Sequence, residues 1–263
     1  MIRTFIEDYF VTIRAYINVR DFAKAHQIWR GFTRHRLVLA ALALVGIFLG
    51  LVLWSTVYNW WSELKIESTF DAGMQAAGLV GDLASTGYNF AFAGAYKYMV
   101  LIIMELLIFH VALRTNEIVT GESEELTASL FLSAQIRMIK VSVFVFMMEL
   151  VASVIIGIGL GILGLTLIKP VLLFVVQCFF LGFALIDNYN EINKLSIRDS
   201  FSETKLHPGA SFGIGIILYL LIMIPLVGPI IGPMVGAVAA TLTMYAIETH
   251  QKIDVIVENC LEQ

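Results

Sequence analysis

The sequence predicts an all-α integral membrane protein: two long transmembrane helices, two Pro/Gly-broken hairpins of hemi-penetrating helices, and an N-terminal amphipathic helix. Three observations predict it. Of 263 residues, 59% are hydrophobic and only 14% charged, and the mean hydropathy is +0.83, outside the balance of a soluble domain. The uncharged run Leu37 to Ser62 would make a helix of about 39 Å, longer than a hydrocarbon core of about 30 Å. Two more apolar blocks, 141–186 and 210–247, are each interrupted by glycine or proline. Residues 1–263 are read as a single membrane domain.

Residues 1–36 form the cytoplasmic lead-in. Phe5, Ile6, Tyr9, Phe10, Ile13 and Ile17, then Phe22, Ala25, Ile28 and Trp29, recur mostly at three- or four-residue steps between charged positions. That spacing predicts an amphipathic helix lying in the membrane interface. The segment is too long and too polar for a cleavable signal peptide, so the first apolar run is expected to stay in the mature protein. That run, 37–62, is the first span, with Trp54, Tyr58, Trp60 and Trp61 at its far end, where amphipathic rings favour the headgroup level. Residues 88–113 are the second span despite Lys97, Glu105 and His110.

Seven of the seventeen Lys and Arg residues precede the first span, whereas the Glu63 to Gly87 loop has Lys65 alone. This asymmetry predicts a cytoplasmic N-terminus. Later bases cluster at Arg114 to Lys140, at Lys194 to Lys205 and at Lys252, which should share that side and put the C-terminus there too. The acidic "GESEEL" reads as a solvated turn leading into a partly amphipathic helix, Leu126 to Lys140.

The two apolar blocks must leave the cytoplasmic side and return. In the first, Lys169 is the only charge between Leu150 and Ile186, beside Pro170 and after Gly157, Gly159, Gly161 and Gly164. In the second, "MIPLVGPIIGPMVG" places Pro225, Pro229 and Pro233 between legs Ala210–Ile224 and Met234–Ile247. Those legs are about 22 and 21 Å as helices, short of a full crossing, and are expected to dip in and return. Non-helical backbone at membrane depth is tolerated only where it is buried in protein or lines a water-filled cavity. Paired interrupted segments also point to a transport site, although a tight turn between two tilted spans would use the same residues.

The ionisable groups inside these segments are the pathway candidates: Lys97 and Glu105, eight residues apart on one helix, and Glu149 and Lys169, which bracket the first hairpin. Lys97, Glu149 and Lys169 have a plainer reading, reaching the interface on long side chains, and Glu105 has one as partner to a base on a neighbouring helix. Arg30, Arg34 and Arg36 offer forked, permanently charged donors to an oxyanion at the start of a helix, or, more plainly, set topology and touch lipid headgroups. Asp187 reads as a capping or loop residue. The two cysteines suggest neither a disulfide framework nor a thiolate site, the five histidines have no paired metal spacing, and no nucleophile elbow or phosphate loop supports an enzyme. No cofactor is expected, and no basic stripe interleaved with aromatics suggests nucleic acid.

The stretches "TGESEELTASLFLSAQIRMIK", "KPVLLFVVQCFFLGFALIDNYNE", "SIRDSF", "HPGASFGIGIILYLLIMIP" and "PMVGAVAATLTMY" resemble the CysZ-type sulfate permeases and the wider etoposide-induced membrane protein family, over roughly residues 5 to 248. The resemblance implies the architecture already described, in the inner membrane, and sulfate uptake for cysteine synthesis. It also implies an anion site near the cytoplasmic start of the first long helix, held by a Pro-Gly-apolar-Arg-Arg motif. In "RGFTRHRLVLA", His35 and Arg36 fall on the arginine pair and Thr33 on the glycine, and the proline is missing. With Arg30 and Arg34, these make the expected substrate-binding set.

Two functions follow from the sequence. One is a homo-oligomeric permease or channel for sulfate or a similar anion. The other is a non-transporting scaffold or assembly subunit that uses the same helical body to hold lipid or a partner protein. A permease needs the basic cluster and the hairpin breaks on a continuous polar path; a scaffold leaves them to headgroups or a partner.

Overall fold

The computed structural model describes residues 2–28, 75–122, 127–163, 165, 168–224 and 227–261. Among these, every regular element is a helix: α1 (Ile2–Ala25), α2 (Gln75–Thr120), α3 (Ala128–Ile162), α4 (Lys169–Ile192), α5 (Ile197–Thr204), α6 (Pro208–Ile222), α7 (Gly228–Thr249) and α8 (Ile253–Leu261). Four of them are long and apolar enough to cross a membrane: Lys97–Thr120 within α2, Ser129–Ile162 within α3, α4 and α7. The all-α membrane architecture predicted from composition is therefore the architecture observed. The expected first span, 37–62, lies outside the described residues.

Local signals set the helix ends. Thr127 caps α3, its hydroxyl accepting from the Leu130 amide, and Pro170 sits in the first turn of α4, where no helical amide bond is lost. No glycine or proline falls between Ala128 and Ile156, so the expected 126–140 helix and the first leg of the hairpin are one continuous helix. Both legs of the first hairpin reach crossing length. In the second hairpin α6 has 15 residues, about 22 Å, and meets α5 at a bend of 97°.

The expected 14-residue return leg is instead the 22-residue α7. Only Pro225 falls at the break, outside the described residues. Pro229 occupies the first turn of α7, where the amide has no acceptor to lose, and Pro233 removes a single bond one turn later. The proline cluster thus starts a helix as much as it ends one.

At the centre is the second half of α4, where every residue from Phe180 to Asn190 is buried. Its most extensive partner is α6. A Cβ on Gly182 would lie 1.8 Å from the Ser211 carbonyl oxygen, and one on Gly215 would lie 1.7 Å from that of Cys178. The Ser211 hydroxyl also donates to the Phe179 carbonyl at 2.6 Å. Lipid tails are as apolar as leucine, so helices in a bilayer gain most by bringing backbones together over small residues.

The N-terminal helix follows the same rule. It packs on α6, α7 and α8, burying Asp8, Thr12, Ala15, Val19 and Phe22, while Ile6, Phe10 and Ile17 stay exposed. A Cβ on Gly209 would lie 2.0 Å from the Phe5 carbonyl oxygen. The large apolar side chains Ile6, Phe10 and Ile17 face outward, which suits the interfacial placement expected of this helix.

Candidate functional site

Along α2, Leu101, Met104, Ile108 and Ala112 form the buried face, and Lys97 and Glu105 lie on it. The opposing stripe on α3 runs Ala134, Met138, Val141, Val145, Glu149 and Ser153. Where the two meet, Lys97 Nζ stands 2.8 Å from Glu149 Oε1, with side-chain exposures of 4% and 3%. The Tyr98 hydroxyl donates to Glu149 Oε2 at 2.6 Å, and the Lys97 ammonium lies 5.2 Å from the Tyr98 ring centroid. Both carboxylate oxygens are therefore satisfied by donors from one turn of α2. Neither Lys97 nor Glu149 reaches the interface, which corrects the plainer expectation for both. Isolated charges at that depth cost several kcal/mol each, so each side chain depends on the other.

A second cluster lies where α3 meets the end of α4. Arg137 donates from Nε and Nη2 to the two oxygens of Asp187, each at 2.9 Å, and from Nη1 to the Leu195 carbonyl at 2.7 Å. Glu191, one turn beyond Asp187, is 3.7 Å from the same guanidinium. Asp187 is thus a buried helical residue taking a forked arginine, rather than the capping group its position suggested. Beside it opens a cleft of about 260 Å³ lined by Phe109, Ser133, Arg137, Glu191, Lys194 and Leu195.

Glu105 differs from both. It is 1% exposed, and neither carboxylate oxygen has a hydrogen-bond partner among the described residues. The base expected on a neighbouring helix is absent there. The charges whose fields reach it most strongly are those of Glu191 and Asp187, both of the same sign. Lys169 is half-buried at the tip of the first hairpin against Gly157, and makes no ion pair among the described residues. The five residues expected to bind substrate, Arg30, Thr33, Arg34, His35 and Arg36, lie outside the described residues.

Outside the spans, His207 sits at the bend between α5 and α6, its Nδ1 3.0 Å from Asp8 of α1. This hydrogen bond holds the imidazole above its ordinary titration range, against the opposing effect of partial burial.

Sequence reasoning missed Arg137, Tyr98 and Glu191 as members of polar clusters. A signal was present for one pair: Asp187 and Glu191 stand four residues apart, on one face at the polar end of a largely apolar helix. Arg137 read as a topology-setting base because its partner is 50 residues away.

A bundle of membrane-length helices with charged pairs inside it fits a class of proteins that handle polar cargo in lipid. No curated protein and no solved structure matches the chain significantly. The family model for "Sulfate transporter CysZ/Etoposide-induced protein 2.4" does match, over residues 19–245, and the chain belongs to that family of multi-pass membrane proteins.

Proposed function

We propose that the protein is a permease for sulfate or a related small oxyanion, working as a homo-oligomer in the inner membrane with both termini cytoplasmic. The observation that carries this reading, beside the family, is the line of ionisable groups on the inner face of α2. Lys97 and Glu105 are buried in protein within a membrane-length helix, where a body that only held lipid or a partner would have no use for their desolvation. The forked donors of Arg30, Arg34 and Arg36, with Thr33 and His35, take the anion at the cytoplasmic start of the first span. Sulfate is a dianion at neutral pH, so capture needs fixed positive charge and oriented donors, without acid or base chemistry. Lys97, Glu149, Glu105 and Lys169 line or gate its passage. On the side assigned to the cytoplasm by the distribution of bases, the cleft at Arg137 and Lys194 offers a polar opening.

The test is uptake of radioactive sulfate into proteoliposomes, with an Arg34→Ala, Arg36→Ala double variant and chloride as competitor. Saturable, sulfate-selective uptake that the double variant loses is the expected result. A flux equal to that of empty liposomes, with folded protein, overturns the permease and leaves the scaffold.

A further inference from the structure

Glu105 is the one buried carboxyl in the described core whose two oxygens both lack a partner. An ionised carboxylate in that position has neither a hydrogen bond nor a cation to offset its desolvation, which amounts to several kcal/mol even after relaxation. Among the described residues, the bases on the helices around it are engaged elsewhere or turned outward. On its own helix, Lys97 is held by Glu149. On α3, Arg137 gives its donors to Asp187 and the Leu195 carbonyl, and Lys140 is exposed. On α4, the groups that reach Glu105 are Asp187 and Glu191, both acidic. On α7, which packs against α2, the charged residue is Glu248, and it accepts from the Tyr189 hydroxyl.

The position is enclosed yet close to an opening. Phe109, one turn along the same face of α2, lines the cleft that also contains Arg137 and Glu191. Gln135 of α3 donates to the Ile102 carbonyl, so the α2–α3 contact closes over the segment holding Glu105. A carboxyl in such a place is satisfied by a small cation. No three His, Cys, Asp or Glu side chains among the described residues converge as metal ligands, and the proton is the small cation that needs no such set.

We propose that Glu105 is a proton-exchange site: it carries a proton in this conformation and releases it to water entering from the Arg137 cleft, coupling anion passage to proton movement. In the transfer the O–H bond on Glu105 breaks and one forms on a water oxygen, and the resulting hydronium leaves through the cleft; no electrons move. The coupling rests on the permease reading, whereas the proton site does not.

The experiment has two arms on the full-length protein in lipid. Infrared difference spectra over a pH series, in water and in deuterium oxide, compare wild type with Glu105→Gln, with Glu105→Asp as a check that the fold tolerates the site. The expected result is a protonated-carboxyl band that persists where exposed carboxyls are ionised, shifts in deuterium oxide and disappears in Glu105→Gln. Identical spectra for wild type and Glu105→Gln overturn the proposal, as does a band that moves when sodium replaces choline, which would make the occupant a metal cation. In the second arm, sulfate uptake into proteoliposomes is driven by an imposed pH difference. At zero membrane potential the sulfate accumulation ratio of wild type should rise by roughly tenfold per unit, the free energy of one proton, while that of Glu105→Gln should not respond. A wild-type flux indifferent to the gradient overturns the coupling. A Glu105 band without any sulfate flux upholds the proton site and removes the permease reading instead.

Discussion

The outer leg of the first hairpin, α3, and the second hairpin are both apolar in sequence and are used in opposite ways. In the first, only 28% of the α3 span is buried, and Val151, Val154, Ile155, Ile158 and Ile162 face outward. In the second, 67% of the α7 span is buried, and α6 is pressed between α1 and α4. Hydropathy cannot separate them, because lipid and protein interior are both apolar. What separates them is where small residues meet backbone. A Cβ on Gly159 or Gly161 would meet nothing within 4 Å, whereas one on Gly215 would fall inside the Cys178 carbonyl. The leg α3 is instead tied by charge: Arg137 joins it to α4, and Glu149 fastens it to α2.

The comparison breaks most visibly at the glycines. Gly215→Leu should prevent folding, a loss on the order of 4 kcal/mol or more, seen as aggregation on size-exclusion chromatography in detergent. Gly159→Leu should leave the elution profile and the melting temperature unchanged or slightly raised, since a helical glycine is replaced by a better helix former in open space. Equal effects from both would remove the distinction between the hairpins.

Next in size is the buried pair. Lys97→Met leaves Glu149 desolvated and without its cation, a loss of about 3–5 kcal/mol in thermal unfolding, whereas Lys97→Met with Glu149→Met should recover most of it. If the double variant is no better than the single one, Lys97 and Glu149 do not act as a unit. Arg137→Lys comes after that. A single ammonium cannot span both Asp187 oxygens and the Leu195 carbonyl, so a loss of about 1–3 kcal/mol is expected, with Arg137→Met worse than lysine.

The smallest effect sharpens the attachment of α1 to the second hairpin. Asp8 holds His207 above its ordinary value of 6.5, so this link is fully present below that pH and is lost as pH rises through the folded-state value. Unfolding free energy measured over a pH series should therefore fall more for wild type than for His207→Gln above neutrality, by an amount on the order of 1 kcal/mol. Parallel curves for the two proteins would mean that the contact contributes nothing to stability.

Much of the fold was legible because it follows from composition and charge. Apolar content, run length and glycine or proline placement identify membrane helices, since each is a property of a segment and its solvent. The α7 start was misjudged because proline was read as a stop, when in the first turn it is neutral. Of the site, the presence of Lys97, Glu105, Glu149 and Lys169 in apolar segments was plain from the chain alone. That Lys97 meets Glu149, that Arg137 meets Asp187 and that Glu105 meets no donor are relations between helices 50 or more residues apart in two of these cases. The sequence by itself determined which segments are apolar helices and that Lys97, Glu105, Glu149 and Lys169 fall within them; only the tertiary structure decided which charges are buried and which are neutralised, because pairing depends on which helix faces come together.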